Sequence, residues 1–152
     1  MPHILSYVLI GLIGLLSVAL DPALAAGTED TAIEAELAPD YTAAKALIEA
    51  QDYAGALPLL DALTVAEPDN ADAWNLHGFA NRKLGNMEVA AKSYDTALTL
   101  NPAHLGALEY QGEMFIETGK MEAAITNLAK LKGLCGACEQ AEDLAAAIGA
   151  AS

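Results

Sequence analysis

Basic residues are scarce in this chain. Seven Lys and Arg stand against 21 Asp and Glu in 152 residues, a net charge of −14. Duplex DNA binding draws its affinity from protein cations that displace counterions, so nucleic acid is excluded as an expected partner. Aromatic residues are also few, at 5%, whereas alanine abounds and 54% of the chain is hydrophobic. Small side chains in bulk favour closely packed helices over a β-sandwich, and the apolar share is too high for a disordered tail. Two cysteines cannot complete a four-cysteine zinc site. No Ser/His/Asp set, carboxylate pair or phosphate-cradling loop is expected to survive placement on helices, since the carboxylates scatter over solvated faces. The expectation is therefore a non-enzymatic protein without a cofactor or metal.

One long apolar run is present. Ile4 to Leu20 carries no charge, Asp21-Pro22 breaks it, and Ala23-Leu24-Ala25 comes next. A small-x-small site behind such a run predicts a signal peptide over 1–25, cut after Ala25. No Lys or Arg precedes the run, only His3 and the amine, so an uncleaved N-terminal anchor is the alternative. No cysteine stands at the cut, which excludes a bacterial lipoprotein. Either route takes the rest out of the cytoplasm, as a periplasmic or secreted protein or as a membrane-anchored one. Residues 26–38 are acidic, lack an apolar face and are expected to be a linker. Charge is concentrated early: Glu29 to Asp72 holds eleven acids and one base, Lys45, whereas Ala73 onward holds nine acids and six bases. The acidic half is expected to serve solubility.

A 34-residue period governs the chain from residue 37 onward. The segments 37–70, 71–104 and 105–138 superimpose without a gap. Ala56, Ala90 and Ala124 share one phase, Leu60, Tyr94 and Leu128 another, and Tyr53, Met87 and Met121 a third. Gly78 pairs with Gly112, Gly85 with Gly119, and Pro68 with Pro102. Such a period marks a repeat array. Each unit holds two amphipathic stretches separated by Gln51-Asp52, Gly85-Asn86 or Gly119-Lys120, where glycine permits a left-handed turn, and proline ends the second stretch in the first two units. The spacing predicts helices over about 40–50, 54–66, 71–84, 87–100, 104–118, 121–132 and 137–148. Pro58 lies near the start of its helix, where it removes one early backbone bond.

The middle unit resembles a tetratricopeptide repeat (TPR). Trp74, Gly78, Ala90, Tyr94, Ala97 and Pro102 stand where that motif expects them. The third unit carries Leu108, Gly112, Phe115, Gly119, Ala124 and Leu128. The first keeps Leu47, Ala56, Leu60 and Pro68, with Asp40 at the tryptophan phase. The resemblance, over 37 to about 138, implies an all-α fold: a right-handed solenoid of three TPR hairpins plus a C-terminal capping helix over about 137–148, with the whole TPR domain at 39–148. The cap would cover apolar surface of the last repeat. Trp74 and Tyr94 are expected to fill wide gaps between helices, and truncating Trp74 to cost about 3–5 kcal/mol if the ring is well buried.

The family holds peptides on a concave face lined by the first helix of each repeat. Here that face would carry Tyr41, Asn75 and Glu109 at one phase and Lys45, Phe79 and Glu113 at the next, with Arg82, Lys83, Glu49 and Glu117 beyond. Glu109 and Glu113 would repel the terminal carboxylate that the chaperone-binding class clamps, so that class is rejected. Phe79 and Tyr41 are expected to grip an apolar side chain, Arg82 and Lys83 an acidic one, and Glu109, Glu113 and Glu117 a basic one. Phe79 is expected to have no core role. His77 and Gln111 share a phase where the family has leucine, and are expected to hydrogen-bond to each other or to water. Cys135-Gly-Ala-Cys138 is expected to be a structural disulfide in an oxidising compartment. No thioredoxin-like strand precedes the pair and Glu139 replaces a haem-linking His, which leaves thiol redox or copper(I) handling as the alternative. The expected function is binding of a protein or peptide, as adaptor or assembly scaffold.

Overall fold

A computed structural model describes residues 41–152. The expected signal segment, linker and Asp40 lie outside the described residues. Seven helices and no strand make up the described chain: α1 (Tyr41–Glu49), α2 (Tyr53–Ala66), α3 (Ala71–Lys83), α4 (Met87–Leu100), α5 (Leu105–Glu117), α6 (Met121–Cys135) and α7 (Glu139–Ala150). They form an all-α solenoid of three hairpins, α1/α2, α3/α4 and α5/α6, with α7 after the last. α6 runs to Cys135, three residues past its expected end, and α7 starts correspondingly later.

Local chemistry sets the element ends. The left-handed residue of each hairpin turn recurs at the period, with φ of 61° at Gln51, 83° at Gly85 and 73° at Gly119. The first repeat thus holds the same turn with a residue that has a Cβ, at a cost glycine avoids. Side chains also cap helices: Gly55 N–H donates to Asp52 Oδ1, Ala73 N–H to Asn70 Oδ1 and Ala107 N–H to His104 Nδ1. His104 can accept there only with Nδ1 bare, so its Nε2–H donates to Asp72 at 2.9 Å. Pro58 falls inside α2, which continues through it.

Three apolar clusters, one behind each hairpin, form the core. The first gathers Ala44, Ala56, Leu60 and Ala80; the second Ala90, Tyr94 and Met114; the third Leu108, Leu131, Ala141 and Leu144. Tyr94 is wholly buried against Gly78, where a Cβ would lie 2.8 Å from two ring carbons. Trp74 departs from expectation. It is half-buried and joins none of these clusters, and its indole N–H donates to the Pro68 carbonyl at 2.8 Å. It staples α3 to the preceding turn, so its truncation should cost less than a core aromatic's.

α7 begins 34 residues after α5, as α5 does after α3. It therefore stands in the register of the first helix of a fourth repeat while covering Leu108 and Leu131 as a cap. At the turn before it, Gly136 has φ 69° and the Cys135 and Cys138 sulfurs lie 2.02 Å apart.

Candidate functional site

The residues expected to line a groove fall in register on α1, α3 and α5, and the register continues on α7. The first row is Tyr41, Asn75, Glu109 and, one period on, Asp143; the second is Lys45, Phe79, Glu113 and Ala147. Arg82 stands one turn past Phe79 of the second row and is only 3% exposed. Its Nη1 donates to Glu117 Oε1 at 2.6 Å and its Nη2 to Glu113 Oε2 at 2.5 Å. The guanidinium also lies 5.4 Å from the centre of the Phe79 ring and 5.9 Å from that of Tyr110. Burial alone would lower the Arg82 pKa, but Tyr94, Glu113 and Glu117 outweigh it and the net shift is upward, so the cation persists. The Tyr94 hydroxyl, beside it, is pushed up by burial, and neither this hydroxyl nor Arg82 Nε has a well-formed hydrogen bond.

This network corrects the expected division of labour. Arg82 is not free to grip an acidic ligand, because two carboxylates already neutralise it, and Glu113 and Glu117 are in turn held by Arg82. Lys83 is exposed and rests its ammonium 5.2 Å from the Phe79 ring centre. Phe79 has packing of its own, edge-on to Tyr53 with centroids 5.9 Å apart and tilted on Tyr110 at 4.6 Å. Its truncation would loosen the contact between repeats as well as the groove. Lys45 pairs with Glu49 along α1 at 3.9 Å, an exposed contact worth little. Tyr41 is half-buried, and its pKa is raised by burial and then by Asp72.

Glu109 and Asn75 are the two buried members of this set that form no side-chain hydrogen bond or ion pair. Each is 7% exposed, and neither has a side-chain hydrogen bond among the described residues. Burial, then Glu113, Asp143 and Glu139, push the Glu109 carboxyl up to about 7 against the opposing pull of Arg82. Tyr110, beside it, is raised by burial, then Glu109 and Glu113. About a turn further along α5, a hollow of about 290 Å³ is walled by Arg82, Lys83, Glu113, Ile116, Glu117 and Ala147. The groove thus also involves Tyr110, Glu139 and Asp143, three residues outside the expected set. Asp143 is legible by carrying the period one repeat further, whereas Tyr110 sits at an ordinary packing phase.

His77 and Gln111 do not bond to each other. His77 Nε2 pairs with Asp61 Oδ1 at 2.9 Å and Nδ1 with Ser93 Oγ at 2.7 Å. One period later Gln111 Nε2 donates to Asp95 Oδ1 at 2.8 Å, and Asn127 Nδ2 donates to Gln111 Oε1 at 2.9 Å. The fold thus assembles an Asp/His/Ser set where none was expected. Ser93 is 1% exposed and also donates to the Val89 carbonyl at 2.9 Å, so no substrate reaches it. Its counterpart in the next repeat has neither base nor hydroxyl. The two triplets are rungs of one polar ladder that ties the second helix of a repeat to both helices of the next. The ladder stops where Ala129 and Ala145 occupy the following phases.

A sequence profile described as Tetratricopeptide repeat matches residues 41–104 and 80–134, together more than half of the chain. The chain is 37% identical over 86 residues to human General transcription factor 3C polypeptide 3, covering 56% of itself and 10% of that protein. It is 31% identical over 72 residues to a TPR repeat-containing protein of Rhizobium etli, covering 47% and 35% respectively. It therefore spans between a tenth and about a third of the length of these relatives. Among solved structures, MamA 41-end from Desulfovibrio magneticus RS-1 superposes with a TM-score of 0.59 at 26% identity, over 62% of this chain and 53% of that one. The Yersinia enterocolitica type III secretion chaperone SycD, solved with a peptide of the translocator YopD, gives 0.64 at 16% identity, over 82% and 91%. At that identity the second likeness speaks for the fold alone.

Proposed function

This chain belongs to the tetratricopeptide repeat family, and from that premise we propose that it is an exported, non-enzymatic adaptor or assembly scaffold that takes a peptide or protein on the groove face of α1, α3, α5 and α7. The observation that carries this reading lies on that face: Asn75 Oδ1 is fully buried without a hydrogen bond, and Glu109, one period on, forms none within the protein. A fold that needed the face only for packing would satisfy or omit such groups. SycD, a protein of the same fold, was solved with a bound translocator peptide, which supports the use of this fold for peptides. Export rests on the apolar run and Ala-Leu-Ala site, and N-terminal sequencing of the protein from its compartment tests the cut after Ala25.

The Cys135–Cys138 pair is read as a bridge that pins the α6–α7 turn. Among the described residues, no cluster of three or more His, Cys, Asp or Glu suited to a metal accompanies it. The binding reading is tested by affinity capture from the exported compartment, with the full chain as bait. Ala147→Arg would fill the hollow beside Glu113 and Glu117 and should abolish capture. Val89→Arg, on the exposed side of α4, should not. Equal capture by both variants would move the binding site off this face.

A further inference from the structure

We propose that the groove contains a recognition pocket for a lysine or arginine side chain of a peptide ligand, built from Asn75 of α3, Glu109 of α5 and Asp143 of α7. The proposal deepens the groove reading and rests on it. Its ground is an excess of acceptors over donors in a buried place. Asn75 Oδ1 is fully buried and accepts nothing. Its amide nitrogen lies over Gly106, 3.3 Å from where a Cβ would stand, so it packs closely on the first turn of α5. Glu109 stands one turn beyond Gly106 on the same side of that helix. It is nine-tenths buried and likewise without a hydrogen bond.

Acidic groups outnumber cations around Glu109. Glu113 from α5, and Glu139 and Asp143 from α7, all act on Glu109, and the cation opposing them is Arg82 of α3. The two terminal nitrogens of Arg82 are already committed to Glu113 and Glu117, and Lys83 lies over the Phe79 ring. A carboxylate held in such company is left protonated or repelled, as its raised pKa records. An incoming ammonium or guanidinium supplies what is missing, with donors for Asn75 Oδ1 and Glu109 and a positive charge against Glu139 and Asp143, to which Arg82 is not bound. Phe79 and Tyr110 stand alongside as apolar walls for the alkyl stem. An anionic side chain would meet the same carboxylates and be turned away.

The test uses the full chain and acetylated, amidated octapeptide libraries with randomised apolar flanks and a central Lys, Arg, norleucine or Glu. Affinity is read by fluorescence anisotropy. The Lys and Arg libraries should bind at least about tenfold tighter than norleucine, with Glu the weakest. Glu109→Gln and Asn75→Ala should each reduce the Lys advantage to within about twofold while leaving the norleucine affinity unchanged. Thermal melting of each variant confirms that it is folded. Lys binding should also strengthen from pH 6 to pH 8, as Glu109 gives up its proton. Equal binding of Lys and norleucine by the native protein would overturn the cation pocket and leave the groove reading standing. Failure of every library to bind would overturn both.

Discussion

Replacing Gly78 with alanine sets two effects of opposite sign against each other. In an open helix the change is favourable by up to about 1 kcal/mol, because alanine loses less backbone entropy than glycine. At Gly78 the new methyl would lie 2.8 Å from Cδ1 and Cε1 of Tyr94, well inside van der Waals contact. The ring has no route of escape. It is wholly buried, packed with Ala90 and Met114, and its hydroxyl end adjoins an arginine locked by two ion pairs. Overpacking of this kind costs about 3 kcal/mol at the upper end of its range. The net expectation is a loss of about 2 kcal/mol, or roughly 8 °C in Tm for a domain of this size. Gly133 provides the control, since it is helical with nothing within 4 Å of its Cβ position, so Gly133→Ala should be neutral or stabilising. Adding Tyr94→Leu, the residue found at Leu60 and Leu128, should remove the penalty and expose a coupling of about 3 kcal/mol in a double-mutant cycle. Urea unfolding of the four variants measures each term. If Gly78→Ala matches Gly133→Ala to within about 0.5 kcal/mol, the close approach of α3 to the Tyr94 ring is not what holds this hairpin.

Three further outcomes are expected. Because the folded Glu109 pKa, about 7, lies above the ordinary value of 4.5, the folded protein holds this proton more tightly. The stabilisation is fully present below about pH 4.5 and is lost as pH rises through 7. Glu109→Gln should therefore gain stability relative to the native protein between pH 5 and pH 8 in parallel chemical melts, and a constant difference would show that Glu109 is ordinarily solvated. In the ladder, His77→Ala should cost about 2 kcal/mol by removing its bonds to Ser93 and Asp61. His77→Gln with Ser93→Asn, which copies the Gln111–Asn127 rung, should recover most of that loss in denaturant titrations. Reducing Cys135–Cys138 removes a very short loop and at most about 2 kcal/mol. Hydrogen exchange should rise in α7 and leave α3 and α4 protected, since Ala141 and Leu144 still bury against Leu108 and Leu131. Global exchange on reduction would mean that the bridge supports the whole stack.

The all-α class, the hairpins and their turns are legible in the residue pattern, because each depends on contacts that repeat every 34 residues. The phases of Ala56, Ala90 and Ala124 and the left-handed turns at Gln51, Gly85 and Gly119 come from helical periodicity and backbone sterics alone. Contacts between repeats are a different matter, because there a side chain chooses among several neighbours and the choice is made in three dimensions. Arg82 has the pattern of a ligand contact, yet Glu113 and Glu117, both from the next repeat, close on it. His77 and Gln111 share a phase and so suggest each other. Helices of successive repeats instead bring Asp61 and Ser93 to the first and Asp95 and Asn127 to the second. Trp74 fits a motif position, yet its surroundings include the turn before its own helix, and that turn leaves it half-buried. A sequence pattern reports which face a residue occupies. Which partner neutralises its charge, and how much water remains around it, depends on distances between helices that pattern does not encode.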